Sequence, residues 1–329
     1  MAISPTDDLA EALWYTAPGV ADIREERLPP LAAGHVRVRT LYSAISRGTE
    51  ALVSAGRVPT SEYQRMRARF MAGQFPFPVK YGYAAVGFVE AGPPELAGRT
   101  VFALYPHQTR FDVPADAVHV LPDDLPPERA ALAANMETAL NAIWDAGVGP
   151  ADRIAVVGAG VVGGLVAYLC GQLPGAEVTL VDINPQRMEL AGALEVGFAM
   201  PDDAKGDCDV VFHASGSAAG LATALALAGM EATVLEMSWY GEGQVAAPLG
   251  GAFHSRRLRL ISSQVGQVAA SRRARWTHGR RLDAALALLR PPCLDALLMT
   301  EVDFPRLPQW LPRIFDPKGG VLCQIVAYR

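Results

Sequence analysis

The residues with the plainest chemical purpose are three glycines. Gly158, Gly160 and Gly163 stand in the spacing Gly-x-Gly-x-x-Gly, with Ala159, Val161 and Val162 between them. The apolar stretch Ile154-Ala155-Val156-Val157 runs straight into them, and residues 161–173 have helical character. That order of strand, glycine turn and helix suits a dinucleotide pyrophosphate. The first glycine permits a tight turn, the second lets the phosphates approach the backbone, and the third lets helix and strand pack closely. The helix start then presents its positive dipole end. Asp182 ends the next strand-like run, nineteen residues after Gly163. A carboxylate there accepts hydrogen bonds from both adenosine ribose hydroxyls and repels a 2′-phosphate. The expected cofactor is therefore NAD(H) rather than NADP(H). Asn184 and Arg187 follow in the same turn and belong to the expected cofactor site. Arg187 is placed either to face a phosphate or to stack on adenine.

These residues need a framework, and the chain supplies two textures. Residues 12–120 show short alternating runs cut by proline and glycine, such as His35-Val36-Arg37-Val38-Arg39, which predicts a barrel-like β domain. Within it, residues 61–71 are polar and arginine-rich and predict a short helix. From about residue 125 the spacing becomes helical over 126–146. Strand-like runs at 154–157, 178–181, 210–213, 233–236 and 258–261 then alternate with helical segments. That pattern predicts βαβ units and a parallel sheet. Residues 272–290 read as a basic helix, and residues 321–328 as a final strand.

With 329 residues, two domains are the natural expectation. The net charge of −5 argues against a nucleic-acid surface. Nine arginines between 256 and 290 have only Trp276 among them as an aromatic, so a solvated or interface face is expected there. An alternative is that some of them meet substrate carboxylates. The long apolar run 154–170 carries four glycines and reads as strand, turn and helix rather than a membrane span. Residues 1–10 show no leader pattern. The four cysteines, Cys170, Cys208, Cys293 and Cys323, are scattered and read as reduced thiols. A soluble, cytoplasmic protein is expected.

Taken in order from Trp14 to the C-terminus, the chain resembles the medium-chain dehydrogenase/reductase superfamily. The likeness is carried by Val113-Pro114-Ala115, Glu137-Thr138-Ala139-Leu140, the glycine turn, Asp209-Val210-Val211-Phe212-His213-Ala214-Ser215-Gly216 and the terminal return. The run Tyr42-Ser43-Ala44-Ile45-Ser46-Arg47-Gly48-Thr49-Glu50 is similar to the zinc-independent group typified by bacteriochlorophyllide alcohol dehydrogenase, which oxidises a hydroxyethyl group on a chlorin. The resemblance implies an α/β fold with a GroES-like β-barrel domain over 1–125 and a Rossmann doubly wound parallel-sheet domain over 126–271. Residues 272–329 would return to the first domain. It also implies a small-molecule substrate in the interdomain cleft and the possibility of a homodimer. Arg47 would contact the pyrophosphate and Thr138 would pack near the nicotinamide. Ser215 and Ser238 would lie where adenosine and nicotinamide contacts fall.

Zinc-dependent relatives place ligands where this chain has Ser46, Tyr83 and a residue near Ala134. All three are lost, and a catalytic zinc needs three protein ligands, so no metal is expected. A positioned donor must then polarise the reacting oxygen. The candidates are the Tyr83 phenol, Ser46 in an orienting role, and His107 as a proton relay. Glu50 and Glu137 are their possible partners. The expected activity is NAD(H)-dependent hydride transfer between nicotinamide and a secondary alcohol or carbonyl, on a planar ring by family analogy. A quinone or enone reductase and a non-catalytic dinucleotide sensor are the alternatives.

Overall fold

Alternating Val36, Arg37 and Val38 make His35–Ile45 the central strand of the first sheet, and Arg37 is held by Asp112 at 2.9 Å. In the computed structural model, which describes residues 8–329, this strand pairs antiparallel with Ala85–Ala91, Arg110–Pro114 and Cys323–Ala327. Seven strands form that sheet. Beside Cys323–Ala327 lies the parallel strand Leu298–Asp303. Beyond Ala85–Ala91 lie Thr100–Ala103 and Val118–Val120. A second sheet of four strands is built on the hairpin Leu9–Ala17 and Val20–Arg27. Val36, Val38, Val89, Val101, Phe111 and Val113 fill the core, with Tyr105 stacked on Phe111 at 3.9 Å.

The second sheet system is wholly parallel. Its six strands lie in the order Gly197–Ala199, Glu177–Val181, Arg153–Val157, Cys208–His213, Ala228–Glu236 and Arg259–Ser262. Numbered along the chain this is 3-2-1-4-5-6, the dinucleotide-binding order. Ile154, Ala155, Val156 and Val157 are all buried, as expected for a strand covered on both faces. The predicted α/β fold, a β-barrel-type domain plus a doubly wound parallel-sheet domain, is the one found.

The chain divides into two units. One runs to Ala134 and takes in Leu298–Arg329, and the other is Asn135–Leu297. The terminal return thus begins at Leu298 rather than at residue 272, because the helix His278–Leu288 packs within the second unit through buried Arg281, Leu282 and Leu286.

Three local expectations change. No α-helix forms over 61–71, where a 3-10 turn, Thr60–Glu62, is followed by bends. The segment lacks an apolar stripe. Side chains bond its backbone instead, with Arg67 donating to the carbonyls of Met71 and Gly73 and the Tyr81 hydroxyl donating to that of Met66. The basic helix shortens to His278–Leu288, capped by Thr277, whose hydroxyl accepts the Arg280 N–H at 3.1 Å. Gly197–Ala199 is an edge strand too short to leave a periodic signal.

The apolar run 154–170 is strand, turn and helix, and among the described residues no helix is long and apolar enough to cross a membrane. The leader reading falls mainly on residues 1–7, outside the described residues. All four cysteines are free. Burial pushes the Cys170 and Cys323 thiols up to about 12 and Cys208 up to about 11.

Candidate functional site

In the second unit the glycine turn has the shape its residues predict. Gly158 lies at φ +109°, and a Cβ there would sit 2.6 Å from the Ser215 backbone nitrogen. A Cβ on Gly163 would overlap the Gly158 carbonyl oxygen, whereas one on Gly160 would meet nothing within 4 Å. The first and third glycines are therefore demanded by the protein itself. The second opens onto free space, where a ligand's phosphates can approach. Helix Val161–Gly171 begins there without a side-chain cap, so its first amides face the same opening.

Asp182 has a structural task that its position alone does not reveal. One carboxylate oxygen accepts the Ala159 N–H at 2.7 Å and the other accepts the Asn184 N–H at 2.8 Å. It holds the glycine turn against the following loop and still offers lone pairs to ribose hydroxyls. The Asn184 side chain in turn accepts from Gln186 N–H at 3.1 Å. Arg187 starts the next helix, and burial lowers its pKa while the Asp182 charge opposes this. Thr138 is half-buried on helix Ala133–Ala146. Ser215 and Ser238 follow the strands that end at His213 and Glu236. The Ser238 hydroxyl accepts the Gly216 N–H at 3.1 Å.

Those two strands bring together a group that sequence reading left unassembled. His213 and Glu236 are register partners on neighbouring parallel strands. The His213 ring, fully buried, meets Glu236 Oε2 through Nδ1 at 2.7 Å and Ser215 Oγ through Nε2 at 2.6 Å. The Tyr240 hydroxyl donates to the same carboxylate oxygen at 3.0 Å. Burial raises the Glu236 pKa, but its bonds from His213 and Ser238 outweigh this and hold it below the ordinary value. The signal in the sequence was positional: both residues end consecutive strands of one parallel sheet.

In the first unit, Ser46, Tyr83 and His107 gather around the helix Arg47–Ser54. Glu50, in its first turn and fully buried, accepts the Ser46 backbone N–H at 2.7 Å, the Tyr15 hydroxyl at 3.0 Å and His107 Nε2 at 2.9 Å. His107 Nδ1 bonds the Ser43 hydroxyl at 2.8 Å, which bonds the Tyr328 hydroxyl at 2.9 Å. Gly82, at φ +132°, makes room for this ring, since a Cβ there would lie 2.9 Å from His107 Nε2. His107 is 0% exposed. The residue expected as a relay is thus an interior one, joined to Glu50 and Ser43.

Tyr83, like Ser46, is half-buried, with its hydroxyl bonded to Ser46 and Thr49. Burial pushes its pKa up to about 12, and the Ser46 and Thr49 bonds pull it back, as donors to a phenol oxygen do. The phenol therefore keeps its own proton to give. Ala134, at the third expected ligand position, is buried and offers no donor side chain. Among the described residues no group of three or more His, Cys, Asp or Glu side chains could hold a metal ion.

Two further expected residues bond within their own units. Arg47 donates to the Val321 carbonyl and ties the returning chain to the helix start. Glu137 accepts from Arg281 Nε at 2.9 Å within the second unit, while Glu50 is the His107 partner. Arg281 corrects the picture of a uniformly solvated arginine face, because it is fully buried. Others of that set are braced on the protein: Arg280 stacks on Trp276 at 4.0 Å and Arg272 on Trp144 at 5.7 Å.

The raised tyrosines set an alkaline limit. An unfolded chain releases these protons near pH 10, whereas Tyr83 and Tyr240 hold theirs to about 12. Between those values the unfolded state binds fewer protons, so stability falls as pH rises. The urea midpoint is expected to drop steadily from pH 10 to 12. A constant midpoint would contradict the placement of these hydroxyls.

No family model matches the chain. Among solved structures it is similar to L-idonate 5-dehydrogenase from Escherichia coli K-12, with TM-score 0.79 and 15% identity over 97% of this chain and 98% of that one. It is also similar to an alcohol dehydrogenase from E. coli CFT073 complexed with NADH, with TM-score 0.76 and 15% identity over 97% and 99%. A protein from Sinorhizobium meliloti 1021 assigned as a zinc-binding dehydrogenase and bound to NADP gives TM-score 0.76 and 17% identity over 97% and 99%. The chain has the two-domain dehydrogenase fold.

Proposed function

We propose that this protein is an NAD(H)-dependent alcohol dehydrogenase or carbonyl reductase that works without zinc. The observation that carries the reading is the cradle of the second unit. A glycine turn opens at Gly160 onto free space, and Asp182 stands beside it on the next strand. Solved proteins of this fold hold NADH in one case and NADP in another. Here Asp182 favours NADH, because its charge repels a 2′-phosphate. When bound, the dinucleotide would supply the hydride donor or acceptor. Gly158, Gly160, Val161, Val162 and Gly163 would hold its phosphates, with Asp182, Asn184 and Arg187 on the adenosine side.

The chain's own contribution to the reaction is a proton. Tyr83 stays a neutral donor across the neutral range, so it can bond a carbonyl oxygen as negative charge develops there. Ser46 and Thr49 orient the phenol. The Glu50–His107 pair beneath fixes the start of the helix that carries both. The phenol is protonated at neutral pH, so it is ready to donate in reduction, whereas in oxidation it would have to lose its own proton first. The residues at the lost ligand positions, Ser46, Tyr83 and Ala134, support a zinc-free site.

A planar ring is the first substrate class to assay, as the family analogy indicates. Exposed Arg65, Arg67 and Arg69 would suit acidic substituents on it. The decisive experiment is steady-state turnover of ring-attached ketones and secondary alcohols with NADH/NAD⁺ and NADPH/NADP⁺, before and after dialysis against a chelator. Preference for NADPH, or activity lost on chelation and restored by zinc, sinks the proposal. NADPH-linked turnover of quinones instead would point to the quinone reductase reading, and binding without turnover to a sensor.

Asp182→Asn provides a sharper test of the cofactor assignment. Hydrogen bonds to a charged group are worth about 1.5–3 kcal/mol. NADH affinity is therefore expected to fall by about 10–100-fold, with NADPH affinity falling less. Titration by nicotinamide fluorescence measures both, and an unchanged ratio would count against a ribose role for Asp182.

A further inference from the structure

We propose that Ser215 is an activated nucleophile, with His213 as its base and Glu236 orienting that base, and that its substrates are small activated acyl esters and related electrophiles. The three groups meet at hydrogen-bond distance: Ser215 Oγ to His213 Nε2 at 2.6 Å, and His213 Nδ1 to Glu236 Oε2 at 2.7 Å. A nucleophile in reach of a base, and a base held by a third group, is the arrangement that activates a serine.

The roles follow from the surroundings. Glu236 accepts from His213, from the Tyr240 hydroxyl at 3.0 Å and from the Ser238 N–H at 2.7 Å, so it behaves as an ionised acceptor. It draws the imidazole proton to Nδ1 and leaves the Nε2 lone pair facing Ser215. The other contacts of Ser215 Oγ are the Ser217 hydroxyl at 3.0 Å and the Ser217 N–H at 3.3 Å. With the Ser217 N–H donating to the oxygen, the Ser215 proton has two acceptors in reach, His213 Nε2 at 2.6 Å and the Ser217 hydroxyl at 3.0 Å, of which the imidazole nitrogen is the stronger base.

Accessibility divides in the way a reactive serine requires. Ser215 is exposed, while the base behind it is fully buried and cannot turn away. Both His213 and Glu236 end strands of the rigid parallel sheet, in register with each other. Helix Ala218–Leu227 starts three residues after Ser215, with the Ser217 hydroxyl accepting the Gly220 N–H at its start.

In the proposed step Ser215 Oγ bonds the acyl carbon and its proton passes to His213 Nε2. The bond to the leaving alcohol breaks as the alcohol takes that proton. Water then attacks the acyl-serine by the same route and releases the acid. Ester and water become acid and alcohol, and nothing is oxidised or reduced. The inference stands on the second unit's own geometry and does not depend on the dehydrogenase reading.

The test treats the full-length protein, without dinucleotide, with a fluorophosphonate and separately with p-nitrophenyl acetate. Intact mass and peptide mapping are expected to show one adduct, on Ser215. Release of p-nitrophenol is expected to fall by about 100-fold or more in Ser215→Ala and in His213→Gln, the contribution of a general base. Glu236→Gln should fall between these and the parent. No adduct on Ser215, or one that forms equally fast in His213→Gln, overturns the proposal. Ser215→Ala removes one hydroxyl from an exposed loop residue, so it keeps the experiment decisive even if the buried His213 variant fails to fold. Chelation and NADPH preference, which decide the dehydrogenase reading, have no bearing on this outcome.

Discussion

Tyr83→Phe is expected to lower kcat for carbonyl reduction by about 100–1,000-fold while leaving KM nearly unchanged. The estimate is the cost of removing one preorganised donor from a developing oxyanion. The phenol makes its contribution only as charge builds on the substrate oxygen, so ground-state binding hardly depends on it. Phenylalanine fills the same space, and the Ser46 and Thr49 hydroxyls, both half-buried, can turn to water. A thermal melt within a few degrees of the parent would show that the loss is chemical. Because the Tyr83 pKa lies at about 12, the parent's reduction rate should show no inflection from this group across the neutral range. If Tyr83→Phe retains full kcat, the donor is another group, and Ser46→Ala is the next variant to measure.

The largest stability effect is expected at Arg281. Its guanidinium is 1% exposed and donates to Glu137 at 2.9 Å, Asn141 at 2.5 Å and the carbonyls of Gln267 at 3.2 Å and Val265 at 2.5 Å. Arg281→Met removes the cation that Glu137, Asn141 and two backbone carbonyls share in the interior. Breaking such a pair costs about 3–5 kcal/mol. At roughly 2–4 °C per kcal/mol for a unit of this size, the melting transition should fall by about 10 °C. Adding Glu137→Met to Arg281→Met should recover part of the loss, because the buried carboxylate that lost its cation is then removed as well. A single variant that melts like the parent, or a double variant worse than the sum, would show that the pair does not carry this weight.

Glu137 and Arg281 also show what tertiary structure adds to a reading of the chain. A run of arginines looks solvated, because charge is usually kept in water. Arg281 departs from that rule because helix His278–Leu288 lies against helix Ala133–Ala146, which presents Glu137 and Asn141 to it. No local pattern carries that information, since the partners are more than a hundred residues apart in sequence. Glu236 escaped notice for the same reason: it becomes the partner of His213 only when two parallel strands align.

Local chemistry, by contrast, was legible from the residues alone. The glycine turn, Asp182, the alternation of strands and helices and the doubly wound sheet all follow from short-range rules. A positive φ demands glycine, a covered parallel strand demands an unbroken apolar run, and a helix start attracts anions. The grouping of Tyr83 with Ser46 was expected from the resemblance, and both lie beside the helix Arg47–Ser54. What only the folded chain decided was which polar side chains are buried, and against what. His107 lies in the interior between Glu50 and Ser43, Arg47 donates to the Val321 carbonyl, and Ser215 is one end of a hydrogen-bonded chain. Burial depends on contacts between distant segments, and those contacts, rather than any spacing along the sequence, determine which titratable group can donate, which can accept, and which only holds another in place.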